Sequence, residues 1–152
     1  MPKLVVHGAT IMCSMGTTPS SLAVLPIRGT SFGLTVPAAT IQDTLPDVNI
    51  ASFGMCSSPL NPQVAAATAA AAGVLTPQPC LPATSAPWTP GSTSVTIAGA
   101  APPPLPSAPG STQPVVSDAP SAPALTATCQ CLCQWAGQIQ VEDAGQEQIE
   151  VD

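Results

Sequence analysis

This sequence predicts a mainly β fold, small and rich in turns, and three observations carry that prediction. Proline supplies 20 of the 152 residues, and inside a helix proline removes a donor and clashes with the preceding turn. Short apolar runs with β-branched residues alternate with Gly and Pro punctuation, which is the pattern of short strands. Only one segment carries a full set of helix signals. A length of 152 residues points to one domain, read here as residues 1–141 with an appended tail at 142–152.

Residues 4–12 read as the opening strand, with a turn signal at His7-Gly8. Gly16 and Pro19 mark a loop. Residues 21–26 alternate apolar side chains and suit a short strand, and Gly29 and Gly33 break the stretch that follows. Residues 36–41 read as another strand, with Pro37 near its start, where no ladder donor is needed. Asp43 and Asp47 are read as turn caps. The helix is expected over 62–72. Asn61 is the N-cap, Pro62 fits the first helical position, and Gly73 follows the last turn. Between them the chain is mostly alanine, the strongest helix former.

A proline-rich connector carrying Cys80 and Trp88 follows, then a short strand over 94–98. Residues from about 101 to 128 form an insertion rich in Pro, Ala and Ser, a composition that favours polyproline II or a mobile loop. Residues 126–134 and 138–141 read as a closing hairpin, with Ala136-Gly137 near its turn. The acidic tail from Glu142 is expected to be partly disordered. Trp88 and Trp135 are read as core anchors, because the chain has only two Trp, two Phe and no Tyr to fill a core.

The charge pattern excludes several functions. Two Lys+Arg against eight Asp+Glu leave a net charge of −6. Nucleic-acid binding needs clustered Lys and Arg and is not expected. Disorder driven by charge does not suit a chain that is 45% hydrophobic. Between Val48 and Val141 the only Asp, Glu, Lys, Arg or His is Asp118. Either uncharged polar groups solvate that surface or a partner covers it. The first residues lack the basic and apolar regions of a secretory signal. The longest apolar run, 64–75, falls short of the roughly twenty residues a membrane helix needs. Both point to a protein made and folded in the cytoplasm.

The cysteines are Cys13, Cys56, Cys80, Cys129, Cys131 and Cys133. The last three alternate along a predicted strand, so their thiols share one face. Three readings stay open: a thiolate metal site, small buried hydrophobes, or disulfides. His7, the single histidine, is a candidate zinc ligand or an ordinary strand residue. A hydrolase would have to use His7 with Asp43 or Asp47, and a thiol enzyme His7 with Cys13 or Cys56. With no G-x-S-x-G elbow, P-loop or H-E-x-x-H in the chain, no enzyme activity is expected.

Seven ordered segments resemble the PAAR-like spike-tip family of bacterial contractile injection systems. They are residues 8–16 (Gly-Ala-Thr-Ile-Met-Cys-Ser-Met-Gly), 19–26, 37–43, 53–62 (Phe-Gly-Met-Cys-Ser-Ser-Pro-Leu-Asn-Pro), 64–71, 75–80 and 87–92. Cys131-Leu-Cys133-Gln-Trp135-Ala136-Gly137 is similar to the family's closing Cys-x-Cys-x-Trp-Gly-Gly, with one change. The resemblance implies a small conical β-hairpin structure that caps a trimeric spike protein of the valine-glycine repeat type. In injection particles, phage-tail-like or of type VI secretion relatives, such a tip is assembled in the cytoplasm, ejected with the particle, and meets the target membrane only transiently. It also implies one zinc ion, with Cys13, Cys56, Cys80 and Cys133 as ligands and Cys131 as a competitor. Cys129 lies outside the matched pattern. The insertion and the tail depart from the family and are candidate attachment points for effector cargo, which makes an adaptor the alternative function.

Overall fold

The computed structural model describes residues 1–25, 33–97 and 121–152. Arg28, Gly29 and most of the predicted insertion lie outside the described residues.

The fold is mainly β, as the sequence predicts. Its largest element is an antiparallel sheet of four strands in the order β2-β1-β8-β7. These are β1 (Thr10–Cys13), β2 (Ser20–Ser21), β7 (Gln130–Leu132) and β8 (Gln138–Asp143). Two smaller antiparallel pairs flank it: β3 (Met55–Cys56) with β4 (Gln78–Pro79), and β5 (Thr96–Ile97) with β6 (Ala122–Pro123). The strands are shorter than the periodicity suggests, because prolines and tight turns interrupt the ladders. Residues 4–12 divide at His7-Gly8, where Gly8 takes φ 87°. Before the turn the chain makes only single bridges at Lys3, Leu4 and Val6, and β1 begins after it. Likewise the strand expected over 36–41 survives as bridges at Ala38 and Thr40.

The one helix among the described residues, α1 (Pro62–Ala70), starts where its signals place it. The Asn61 side chain accepts a hydrogen bond from the Gln63 N–H at 3.0 Å, filling one of the orphan donors of the first turn. The helix stops before residue 72. Ala72 and Gly73 both turn to positive φ (57° and 89°), and the Gly73 N–H reaches back to the Thr68 carbonyl, a left-handed closure suited to glycine. Val64 is its only buried residue.

Most buried side chains belong to one core that includes Val5, Ile11, Leu22, Ile50, Phe53, Trp88, Leu125, Ile139 and all six cysteines. A second cluster joins Leu4, Ala38, Ile97, Ala124 and Val151. Trp88 is fully buried, whereas Trp135 is half-buried with its indole N–H on the Leu81 carbonyl. Asp43 caps its turn as expected, accepting the Thr40 N–H at 2.7 Å.

Two expectations change. The acidic tail packs onto the body: Val151 is buried in the second cluster and Ala144 in the first. Glu150 makes a single antiparallel bridge with Lys3, and the alternating Ile149 and Val151 pack against the second cluster despite the tail's charge. The residues flanking the insertion pair directly, Thr96 with Pro123 and Ile97 with Ala122. Recognisable structure therefore resumes at β6, earlier than residue 128.

Candidate functional site: a cluster of buried thiols

Four separate segments deliver cysteines to one region of the core. Cys13 ends β1, and the Gly16 N–H closes a turn onto the Cys13 carbonyl. Cys56 ends β3 beside that turn. Gly16 and Cys56 form a bridge, and the Ser57 N–H donates to the Met15 carbonyl. Cys80 follows β4 and donates its N–H to the Gly54 carbonyl at 2.7 Å. Cys133 follows β7, and its N–H bonds the Gly137 carbonyl across the turn into β8.

These thiols sense one another. Burial raises the Cys13 pKa above its ordinary value, the backbone N–H of Met15 opposes the rise, Cys133 adds to it, Gly16 opposes and Cys56 adds. Burial also raises Cys80; the Phe53 backbone opposes this, and Cys56, Cys13 and Cys133 add to it. At Cys13 and Cys80 the neutral thiol is therefore favoured. The backbone donors aimed at Cys13 and Cys80 would favour the thiolate forms that a metal requires.

Cys131, the competing candidate, and Cys129, which lies outside the matched pattern, have other contacts. The burial pattern from Cys129 to Cys133 alternates as a strand with all three thiols inward requires. Cys131, however, donates to the Ala86 carbonyl at 3.5 Å, and Cys133 is the only other cysteine that perturbs it. Burial pushes Cys131 up to about 11. A thiol that ionises later in the folded chain than in the unfolded one binds its proton more tightly when folded. Stability is then expected to fall as pH rises from 9 toward 11, measurable as a falling urea midpoint. Cys131→Ala should flatten that decline.

Cys129 is a hydrogen-bond anchor. Its sulfur accepts N–H groups from Gly91 at 3.2 Å and Thr126 at 3.4 Å, and lies 3.1 Å from the Thr126 hydroxyl. All six cysteines are free thiols. His7 is exposed, and its Nδ1 accepts the Val24 N–H at 3.0 Å.

Three positions to which sequence reasoning assigned no role at the cysteines support the cluster. Ser58 is fully buried and its hydroxyl donates to the Trp135 carbonyl, tying the Cys56 segment to the turn after Cys133. Gly137 gives room, since a Cβ there would stand 2.6 Å from the Cys13 sulfur and 3.5 Å from the Cys133 Cβ. Ala136 takes φ 63°, a region that costs an L-residue about 1–2 kcal/mol. It stands where the similar family motif has glycine. Ala136→Gly should therefore stabilise the fold by up to about 1 kcal/mol, seen as a raised Tm; an unchanged or lower Tm would refute this. The signal for Ala136 and Gly137 was present in the motif. Ser58 gave none.

Among the described residues, no group of three or more His, Cys, Asp or Glu side chains is already arranged to hold a metal ion. The donor set is all sulfur, which suits zinc, but the thiols would have to turn toward a common point.

With this arrangement in view, the chain matches over residues 5–106 the family described as Domain of unknown function (DUF4280). The match spans more than half of the chain, which belongs to that family. No curated protein and no solved structure gives a match.

Proposed function

We propose that this chain is a structural spike-tip protein of the PAAR-like kind, capping the trimeric central spike of a contractile injection system. The observation that carries the reading is the gathering of Cys13, Cys56, Cys80 and Cys133 from four segments into one core. A domain with few aromatics gains rigidity from a metal cross-link. Zinc held by these four thiolates would supply it, with Ser58 and Gly137 positioning the loops.

The surface supports contact with a large uncharged partner. Described residues 48–97 and 121–141 contain no Asp, Glu, Lys, Arg or His. Met55, Leu60, Val74, Leu75, Leu81 and Leu132 are exposed on that part of the chain. Interface cores are depleted of charge in the same way. No helix among the described residues is long and apolar enough to cross a membrane.

Elemental analysis of the purified chain tests the metal, with about one zinc per chain expected. A folded preparation free of metal would defeat the zinc staple. Co-expression with the trimeric spike tests the docking, and failure to co-purify would defeat the tip reading. A second reading, an adaptor for effector cargo, is favoured by the pairing of β5 with β6, which brings the flanks of the insertion side by side. Cargo carried there would leave the sheet undisturbed.

A further inference from the structure

The acidic tail is held the way a peptide ligand is held. Residues 3–5 have two edges. One is taken by the body of the fold: the Val5 N–H bonds the Leu125 carbonyl and the Ala127 N–H bonds the Lys3 carbonyl. The other is taken by the tail: the Leu4 N–H donates to the Ile149 carbonyl at 3.0 Å and the Val151 N–H to the Pro2 carbonyl at 2.9 Å. This is antiparallel strand addition to an edge.

The Gln146 side-chain amide donates to the Leu4 carbonyl at 2.7 Å, and three further contacts complete the grip. Val151 enters an apolar pocket of Leu4, Ala38, Ile97 and Ala124. The Asp152 carbonyl accepts the Thr93 N–H at 2.7 Å and the Ser92 hydroxyl. Lys3, the only described Lys or Arg, reaches Glu147 at 2.7 Å.

The grip is also shallow. From Gly145 to Asp152, Val151 alone is buried, and the ion pair is solvent-exposed, where such pairs contribute little. Segments with so few buried contacts open below the global unfolding free energy. The tail lies outside the residues that match the family. Beneath it remain an apolar pocket, an unpaired strand edge and one cation.

We propose that this groove, formed by residues 2–4, Ser92, Thr93 and the Val151 pocket, is a docking site for extended acidic peptide strands, and that residues 145–152 are its exchangeable resident occupant. A fitting partner strand offers a β-branched residue for the pocket and a carboxylate for Lys3. The inference does not depend on the spike-tip reading.

The test uses a fluorescent peptide of residues 145–152 and the full chain carrying Val151→Asp, with folding followed by circular dichroism. The resident segment of the unsubstituted chain competes for the groove, so the peptide should bind the variant about tenfold or more tightly. A peptide carrying Val151→Asp should bind neither chain. The proposal is overturned if a folded variant fails to take up the peptide, or if both peptides bind alike. If Val151→Asp does not fold, hydrogen exchange on the unsubstituted chain decides. The Leu4 and Val151 amides should exchange well before those of β1 and β8, and exchange together with the sheet would overturn the proposal.

Discussion

Trp88→Ala is expected to destabilise the protein by about 3–5 kcal/mol, the usual cost of truncating a fully buried Trp. Among the described residues Trp88 is the bulkiest fully buried side chain, and Phe53 is the one buried Phe. Its loss removes more than volume. The indole N–H donates to the Asp43 carbonyl at 3.0 Å, and the Trp88 N–H bonds the Ile41 carbonyl. The ring thus clamps the proline-rich connector to the turn that Asp43 caps. Trp88→Phe keeps most of the apolar area and should cost less, chiefly through the Asp43 carbonyl left without its indole donor. Urea denaturation separates the two variants. A loss under about 1 kcal/mol for Trp88→Ala would refute the clamp.

Gly137→Ala should be the second severe substitution. Gly137 does not have positive φ, so alanine is excluded by space and not by backbone strain. The new methyl would stand 2.6 Å from the Cys13 sulfur, and that sulfur hangs on a single torsion in a close-packed core. Overpacking of this kind costs about 1–3 kcal/mol. Pushing Cys13 out of place also breaks up the thiol cluster. Two measurements check this: a lower Tm, and faster reaction of Cys13 with a thiol reagent in the folded chain. Cys13→Ala removes the atom that is struck, so the double variant should lose less than the sum of the two single losses. Strict additivity would show that the clash lies elsewhere.

Much of the fold was legible because its signals are local. Asn61, Pro62 and Gly73 bracket the helix through capping and backbone chemistry that act within a few residues. The inward alternation of Cys129, Cys131 and Cys133 follows from the two-residue period of a strand. Sequence reasoning failed where long-range contacts decide. The tail reads as partly disordered from its composition, yet Pro2, Leu4 and Thr93 hold it in place. Trp135 reads as a core anchor, yet its indole N–H reaches the Leu81 carbonyl from a half-buried site.

The sequence by itself determined the β class, the single helix, the mid-chain absence of charge and the set of thiols available for chemistry. Composition, capping and periodicity act through near neighbours, so no tertiary information was needed. The family resemblance named Cys13, Cys56, Cys80 and Cys133, but only the tertiary structure supplies the physical route by which they approach one another. Cys13, Cys56, Cys80 and Cys133 are far apart along the chain, and the turns at Gly16, Gly54 and Gly137 bring them together. Cys131, one strand step from Cys133, remains apart from the other three, because a strand separates its successive inward side chains by nearly 7 Å.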